Sequence, residues 1–131
     1  MSERSQAIIT STRERARQGW DDPARGSVTW FTLFSSDITP TDSMSAGIAE
    51  FAPHGGNLVP HRHEQAEIYF ILEGTGTVTI DRHETVVGRG DAVFIPGNAE
   101  HAVRNESDSI LRLFYVFPTD CFSDVVYRFP G

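Results

Sequence analysis

The stretch "GGNLVPHRHEQAEIYFILEGTG", residues 55–76, decides how this chain reads. Its second half, "EIYFIL" (67–72), is a dense run of apolar and aromatic residues, the composition of a strand entering a core. Yet His61, His63 and Glu67 fall within seven residues of one another. Successive strand side chains point to opposite faces, so His61 and His63 share one face, and Glu67 shares another with Tyr69. Imidazoles and a carboxylate are costly to bury unless something neutralises them.

Further along, "GDAVFIPGNAEHAVRN" (90–105) adds His101 after a Gly-to-Pro strand and a tight turn. Should these faces converge inside a barrel, three imidazoles and one carboxylate meet at a point. A divalent metal would neutralise such a cluster, and imidazole with carboxylate suits Fe, Mn, Co, Ni, Cu or Zn.

The rest of the chain is consistent with that barrel. Short runs rich in apolar, β-branched or aromatic residues occur at 27–34, 44–51, 77–80, 84–87, 91–95, 100–105, 110–117 and 124–129, separated by turn signals such as "APHGGN", "EGTG", "GRGD" and "NESDS". Many short strands at close spacing indicate an all-β sandwich or barrel. Residues 1–26 are expected to form an N-terminal arm, part helical around Gln6 to Arg17 or else loose, with the barrel over 27–131. At 131 residues the chain is sized for one domain with a real core.

Composition excludes several functions. Eighteen acidic against eleven basic side chains leave a net charge of −7. Nucleic acid and anionic membrane both need a basic surface, so neither is expected as a partner. The N-terminus has no apolar core of signal-peptide length, so the expected location is cytoplasmic. Every basic residue is Arg, which rules out a Schiff-base or phosphate-loop lysine. Cys121 is alone, so no internal disulfide or paired-cysteine zinc site can form. It reads as a buried inert thiol sooner than as a nucleophile.

The two motif segments resemble the cupin superfamily. The first motif there runs Gly, five residues, His-x-His, three or four residues, Glu, six residues, Gly. It is matched by Gly55, His61, His63, Glu67 and Gly74. The second runs Gly, five residues, Pro-x-Gly-x-x-His, three residues, Asn. It is matched by Gly90, Pro96, His101 and Asn105. Asn98 replaces the motif glycine, and Asn tolerates the left-handed turn expected there. The resemblance implies an all-β cupin barrel, a double-stranded β-helix or jelly roll. It also implies one divalent transition metal per chain, held by His61, His63, Glu67 and His101.

Three segments, "AEIYFILEG", "GNAEHAVRN" and "LFYVFPTDCFSDVVYRFP", further resemble the small cupin-type dimethylsulfoniopropionate (DMSP) lyases. Those enzymes cleave DMSP to dimethyl sulfide and acrylate by β-elimination. The base proposed in them is a tyrosine two residues after the metal-binding Glu, a place held here by Tyr69. An inward tyrosine in a barrel is also commonly just packed, with its hydroxyl bonded. Tyr115 is a second candidate, although "ILRLFYVF" reads equally as core. His83, in a hairpin turn, and His54, in a loop, read as solvated, with His54 near enough to line the barrel mouth. Arg62 and Arg104 point outward by strand parity.

The expected substrate is a small carboxylate. Open alternatives are another metal-dependent cupin enzyme (a dioxygenase, decarboxylase or isomerase) and a non-catalytic small-molecule binder. The aromatic tail, Phe114, Tyr115, Phe117, Phe122, Tyr127 and Phe129, suggests a homodimer that buries part of it. Otherwise these rings complete the core.

Overall fold

The computed structural model describes residues 6–130, so residues 1–5 of the expected arm and Gly131 lie outside the described residues. Ten antiparallel strands follow one another. They are β1 (Gln18–Asp22), β2 (Gly26–Phe34), β3 (Ser45–Phe51), β4 (Gly56–His61), β5 (Glu67–Glu73), β6 (Thr75–Ile80), β7 (His83–Gly88), β8 (Ala92–Ile95), β9 (His101–Asn105) and β10 (Leu111–Phe117). They form one curled sheet in the order β7-β6-β9-β4-β2-β3-β10-β5-β8, with β1 added beside β2. The all-β barrel expected from the sequence is the fold found.

Two-residue alternation explains which side chains go inside. In β10, Leu111, Leu113, Tyr115 and Phe117 are buried while Arg112, Phe114 and Val116 face out. In β5, Glu67, Tyr69 and Ile71 are buried and Ile68 and Phe70 are exposed. Ile71, Ile95, Leu111, Leu113, Phe51, Phe117 and Val103 are almost wholly shut from water and form the centre of the core.

Asn98 has φ 66°, the left-handed turn that lets it stand in place of glycine. Gly74 has φ 83°, and a Cβ there would overlap the carbonyl of Ile110, so only glycine fits.

Asn105 is the structural member of the second motif. Its buried amide donates to the carbonyls of Phe51 (3.0 Å), Ala52 (3.2 Å) and Ser109 (2.8 Å). Its carbonyl oxygen accepts from the backbone N–H and the hydroxyl of Ser107. This side chain joins the β3–β4 turn to the β9–β10 turn.

Two expectations about elements are corrected. The helix considered for Gln6 to Arg17 reduces to one 3-10 turn, Thr12–Glu14. The segment lacks an apolar stripe at helical spacing and runs along the sheet instead, where the Gln6 N–H donates to the Pro40 carbonyl and Arg15 donates to Leu33. Residues 18–22 of the expected arm are β1, in register with β2 from Gln18 opposite Trp30 to Asp22 opposite Gly26. The run at 124–129 is not a strand. It follows a 3-10 turn, Phe122–Asp124, and its backbone pairs at one bridge, between Arg128 and Arg62. There the chain crosses the barrel mouth instead of running alongside a strand.

The tail aromatics divide three ways. Tyr115 and Phe117 belong to the core, Phe114 faces outward, and Phe122, Tyr127 and Phe129 gather at the mouth. The outer face of the sheet is apolar across three strands, because Ile68 pairs with both Phe94 and Val116, and Phe70 with Phe114. Phe94 is 64% exposed and Ile68 45%.

Candidate metal centre

The strands bring the predicted histidines to one place. His61 ends β4 and His101 begins β9, directly opposite each other in register. His63 follows two residues past β4, and Glu67 opens β5. All four side chains are buried, with 1% exposure for each histidine and 4% for Glu67. One ligand atom from each of His61, His63 and His101 can be chosen so that all lie within 4.8 Å of one another. Glu67 Oε1 is 3.2 Å from His63 Nε2 and 3.3 Å from His101 Nε2.

The hydrogen bonds behind the rings fix what the front can do. His61 Nδ1 lies 2.8 Å from the Val59 carbonyl, His63 Nδ1 2.9 Å from that of Gln65, and His101 Nδ1 2.9 Å from that of Ala99. A carbonyl only accepts, so each Nδ1 carries the proton shared with it, and each ring turns its Nε2 inward. This is the arrangement that orients metal-ligating histidines. Nε2 of His61 and of His101 are buried without a hydrogen-bond partner. Burial, then the neighbouring His101 and His63, push the His61 imidazole down to about 3, so that ring is neutral at ordinary pH. Three inward Nε2 atoms and a carboxylate oxygen share one pocket. The donor set fits a divalent transition metal, and N₃O ligation is the chemistry such ions accept.

Tyr69 sits where its parity places it, buried beside this cluster, with its ring 6.4 Å from that of His101. Burial, followed by the negative charge of Glu67 and the neighbouring Tyr127, holds its hydroxyl well above the usual tyrosine range. Tyr115 is likewise pushed up, mainly by burial, and a Cβ on Gly47 would overlap its hydroxyl. His54 and His83 are exposed, and neither lines the site cavity. Arg62 and Arg104 face out. Arg62 donates to the Asn98 carbonyl, and Arg104 pairs with Glu84 and Glu106.

The tail supplies site residues that strand periodicity did not single out. Tyr127 stacks on His61 with centroids 5.0 Å apart and lies 5.2 Å from His63. The residue as a whole is partly exposed, but its hydroxyl end is deeply buried, and burial followed by the Glu67 charge pushes it well above its ordinary pKa. Phe129 lies 5.6 Å from His61. The crossing is pinned by two backbone hydrogen bonds between Arg62 and Arg128 and by Gln65 donating to the Asp124 carbonyl. The signal was present as aromatic density in "CFSDVVYRF", but nothing in that stretch says which way the rings turn.

A cavity next to the cluster is lined by Glu67, Tyr69, Tyr115 and Tyr127, and by Trp20, Trp30 and Phe122 among other apolar residues. It offers about 40 Å³ in which the centre of a water-sized group can sit. That is room for a few waters or the reacting end of a small ligand.

Residues 47–117 match the family model described as "Cupin domain". The chain belongs to the cupin family. Among its relatives, the dimethylsulfoniopropionate lyase DddW of Ruegeria pomeroyi is 42% identical over 111 residues, covering 85% of this chain and 72% of that protein. Among solved structures, the polyketide cyclase RemF from Streptomyces resistomycificus superposes with a TM-score of 0.80 at 20% identity, over 96% of this chain and 87% of that one. A cupin-2 domain protein from Rhodospirillum rubrum superposes with a TM-score of 0.78 at 22% identity, over 98% and 83%. At these identities the two structures establish the cupin fold alone.

Proposed function

We propose that this cupin is a metal-dependent lyase that cleaves dimethylsulfoniopropionate, or a close β-sulfonium carboxylate, to acrylate and dimethyl sulfide. The observation that carries this reading is the 42% identity to a lyase of that name along most of the chain, joined to the buried cluster of His61, His63, His101 and Glu67. These four residues would hold the ion. When bound, it would act as a Lewis acid on the substrate carboxylate and make the α-hydrogen more acidic.

The chain's own groups supply the rest. Tyr69 is the proposed base: once its own proton has passed to solvent with the site filled, the phenolate oxygen takes the α-proton, the C–H electron pair becomes the C=C bond, and the Cβ–S pair leaves with neutral dimethyl sulfide. No acid is needed for that leaving group. Without a cation nearby, burial and Glu67 keep Tyr69 protonated. Positive charge in the pocket works against both causes, so the base depends on the filled site. The mouth aromatics Tyr127 and Phe129 exclude water above His61.

We further propose that the chain works as a homodimer joined through the apolar outer face bearing Ile68, Phe70, Phe94 and Phe114. The face is broad, in register across three strands and free of charge at those positions.

Headspace dimethyl sulfide above purified protein, supplied with DMSP after separate reloading with Fe, Mn, Co, Ni or Zn, tests the reading. Release that disappears in Tyr69→Phe, while metal content stays at the wild-type level, is the expected result. Folded protein with a filled site that releases nothing with any of these metals would sink the lyase reading.

A further inference from the structure

The cavity beside the metal centre contains an arrangement that the elimination chemistry does not require. Four of its lining rings form a closed circuit. Trp20 to Trp30 is 5.0 Å between centroids, Trp30 to Phe122 6.2 Å, Phe122 to Tyr127 6.4 Å, and Tyr127 back to Trp20 5.2 Å. Interplanar angles of 66° to 86° make every pair edge-to-face. The rings come from three separate parts of the chain, namely β1, β2 and the tail. Trp30 Nε1 is buried with no hydrogen-bond partner.

Charge in this cavity is equally lopsided. Its lining includes one carboxylate, Glu67, and no Arg, and the chain has no lysine. A ligand with two anionic groups would leave one without a countercharge. A ligand with a cationic end would meet ring faces, which attract cations through their quadrupoles and do so more strongly once water is excluded. Trp20 already makes such a contact on its own account, with the Arg25 guanidinium 4.9 Å from its ring centroid.

We propose that Trp20, Trp30, Phe122 and Tyr127 form a box for a compact alkylated onium cation, sulfonium or quaternary ammonium alike. The cavity then selects ligands that join a single carboxylate to that cation. The proposal rests on the metal-held carboxylate of the lyase reading and adds the residues that set selectivity at the other end. Trp20 is the residue to alter, because it is only half-buried and lies outside the barrel core.

Two isosteric carboxylates isolate the cation: 3-(trimethylammonio)propanoate and 4,4-dimethylpentanoate, in which an uncharged tert-butyl group replaces the ammonium end, titrated calorimetrically into zinc-loaded protein. The ammonium probe is expected to bind about tenfold tighter than the tert-butyl one. In Trp20→Leu that ratio falls toward one at unchanged zinc content, and Trp20→Phe restores part of it. Equal or tighter binding of 4,4-dimethylpentanoate overturns the proposal. So does an unaltered ratio in Trp20→Leu, or failure of both probes to bind. Should Trp20→Leu fail to fold, Phe122→Leu serves in its place. Onium preference without dimethyl sulfide release would sink the lyase reading and leave the box standing. Release without that preference would do the reverse.

Discussion

Replacing Asn105 with Ala separates the structural part of the second motif from its metal-binding part. The Asn105 amide has two N–H groups, and they serve three carbonyls, those of Phe51, Ala52 and Ser109, one hydrogen being shared. Its oxygen takes two further bonds from Ser107. Ser107 is near the surface and can turn to water, so its two bonds count for little. The carbonyls are the costly loss, since a buried polar group left unpaired costs roughly 1–3 kcal/mol. Two or three such groups give an expected destabilisation of about 3–4 kcal/mol. For a domain of this size about 3 °C is lost per kcal/mol, so the melting temperature is expected to drop by roughly 10 °C. In urea the midpoint moves down with the slope unchanged, which shows that stability rather than compactness has altered. Metal bound per folded chain stays at the wild-type value, because Asn105 touches none of the four proposed ligands. A loss below about 1 kcal/mol, or a folded variant that no longer takes metal, would refute the reasoning.

Other outcomes follow from single features. Asn98→Gly is expected to lie within about 0.5 kcal/mol of the parent and Asn98→Ala about 1 kcal/mol below it, because only the latter pays for a left-handed backbone; chemical denaturation distinguishes them. In metal-stripped protein none of the three tyrosines should ionise with an ordinary pKa, since Tyr69, Tyr115 and Tyr127 are all held upward by burial. Groups with a raised folded pKa contribute stability below their unfolded value near 10 that fades as pH climbs toward the folded one. Phenolate absorbance should therefore appear together with alkaline unfolding, and a phenolate step near pH 10 in folded protein would count against this. Ile68→Glu or Phe94→Glu should yield monomers in sedimentation velocity with metal uptake intact; a wild-type chain that is already monomeric would remove the proposed interface.

The sequence made the barrel legible because its alternation was strong where both faces had work to do. In β10 the inward Leu111, Leu113, Tyr115 and Phe117 were readable as a period of two. The meeting of His61, His63, Glu67 and His101 was readable because strand parity put His61 and His63 on one face and the spacing of all four resembles the two cupin motifs. Asn98 was readable as a left-handed position because it stands where the motif has Gly and Asn tolerates that backbone.

What escaped was whatever depended on non-local packing. "DVVYRF" has the composition of a strand, but it crosses the barrel mouth and pairs with the sheet at a single bridge, so it became the strap that carries Tyr127 to His61. Trp20 belonged to a stretch read as an arm, and only its register opposite Val28 brings it to the cavity. Composition could not sort the tail aromatics either, because adjacent parities send Phe114 outward and Tyr115 to the core.

The central claim is that His61, His63, Glu67 and His101 hold one metal ion. Its most direct test is the stoichiometry of cobalt retained by chelator-stripped protein after reloading and desalting, measured by elemental analysis beside His63→Ala and His101→Ala. The account predicts one cobalt per chain in the wild type, a visible absorption band of nitrogen-rich coordination, and near-complete loss in both variants, with their β-sheet circular dichroism preserved. Wild-type protein that is folded and retains no cobalt, or variants that retain as much as the wild type, would contradict it.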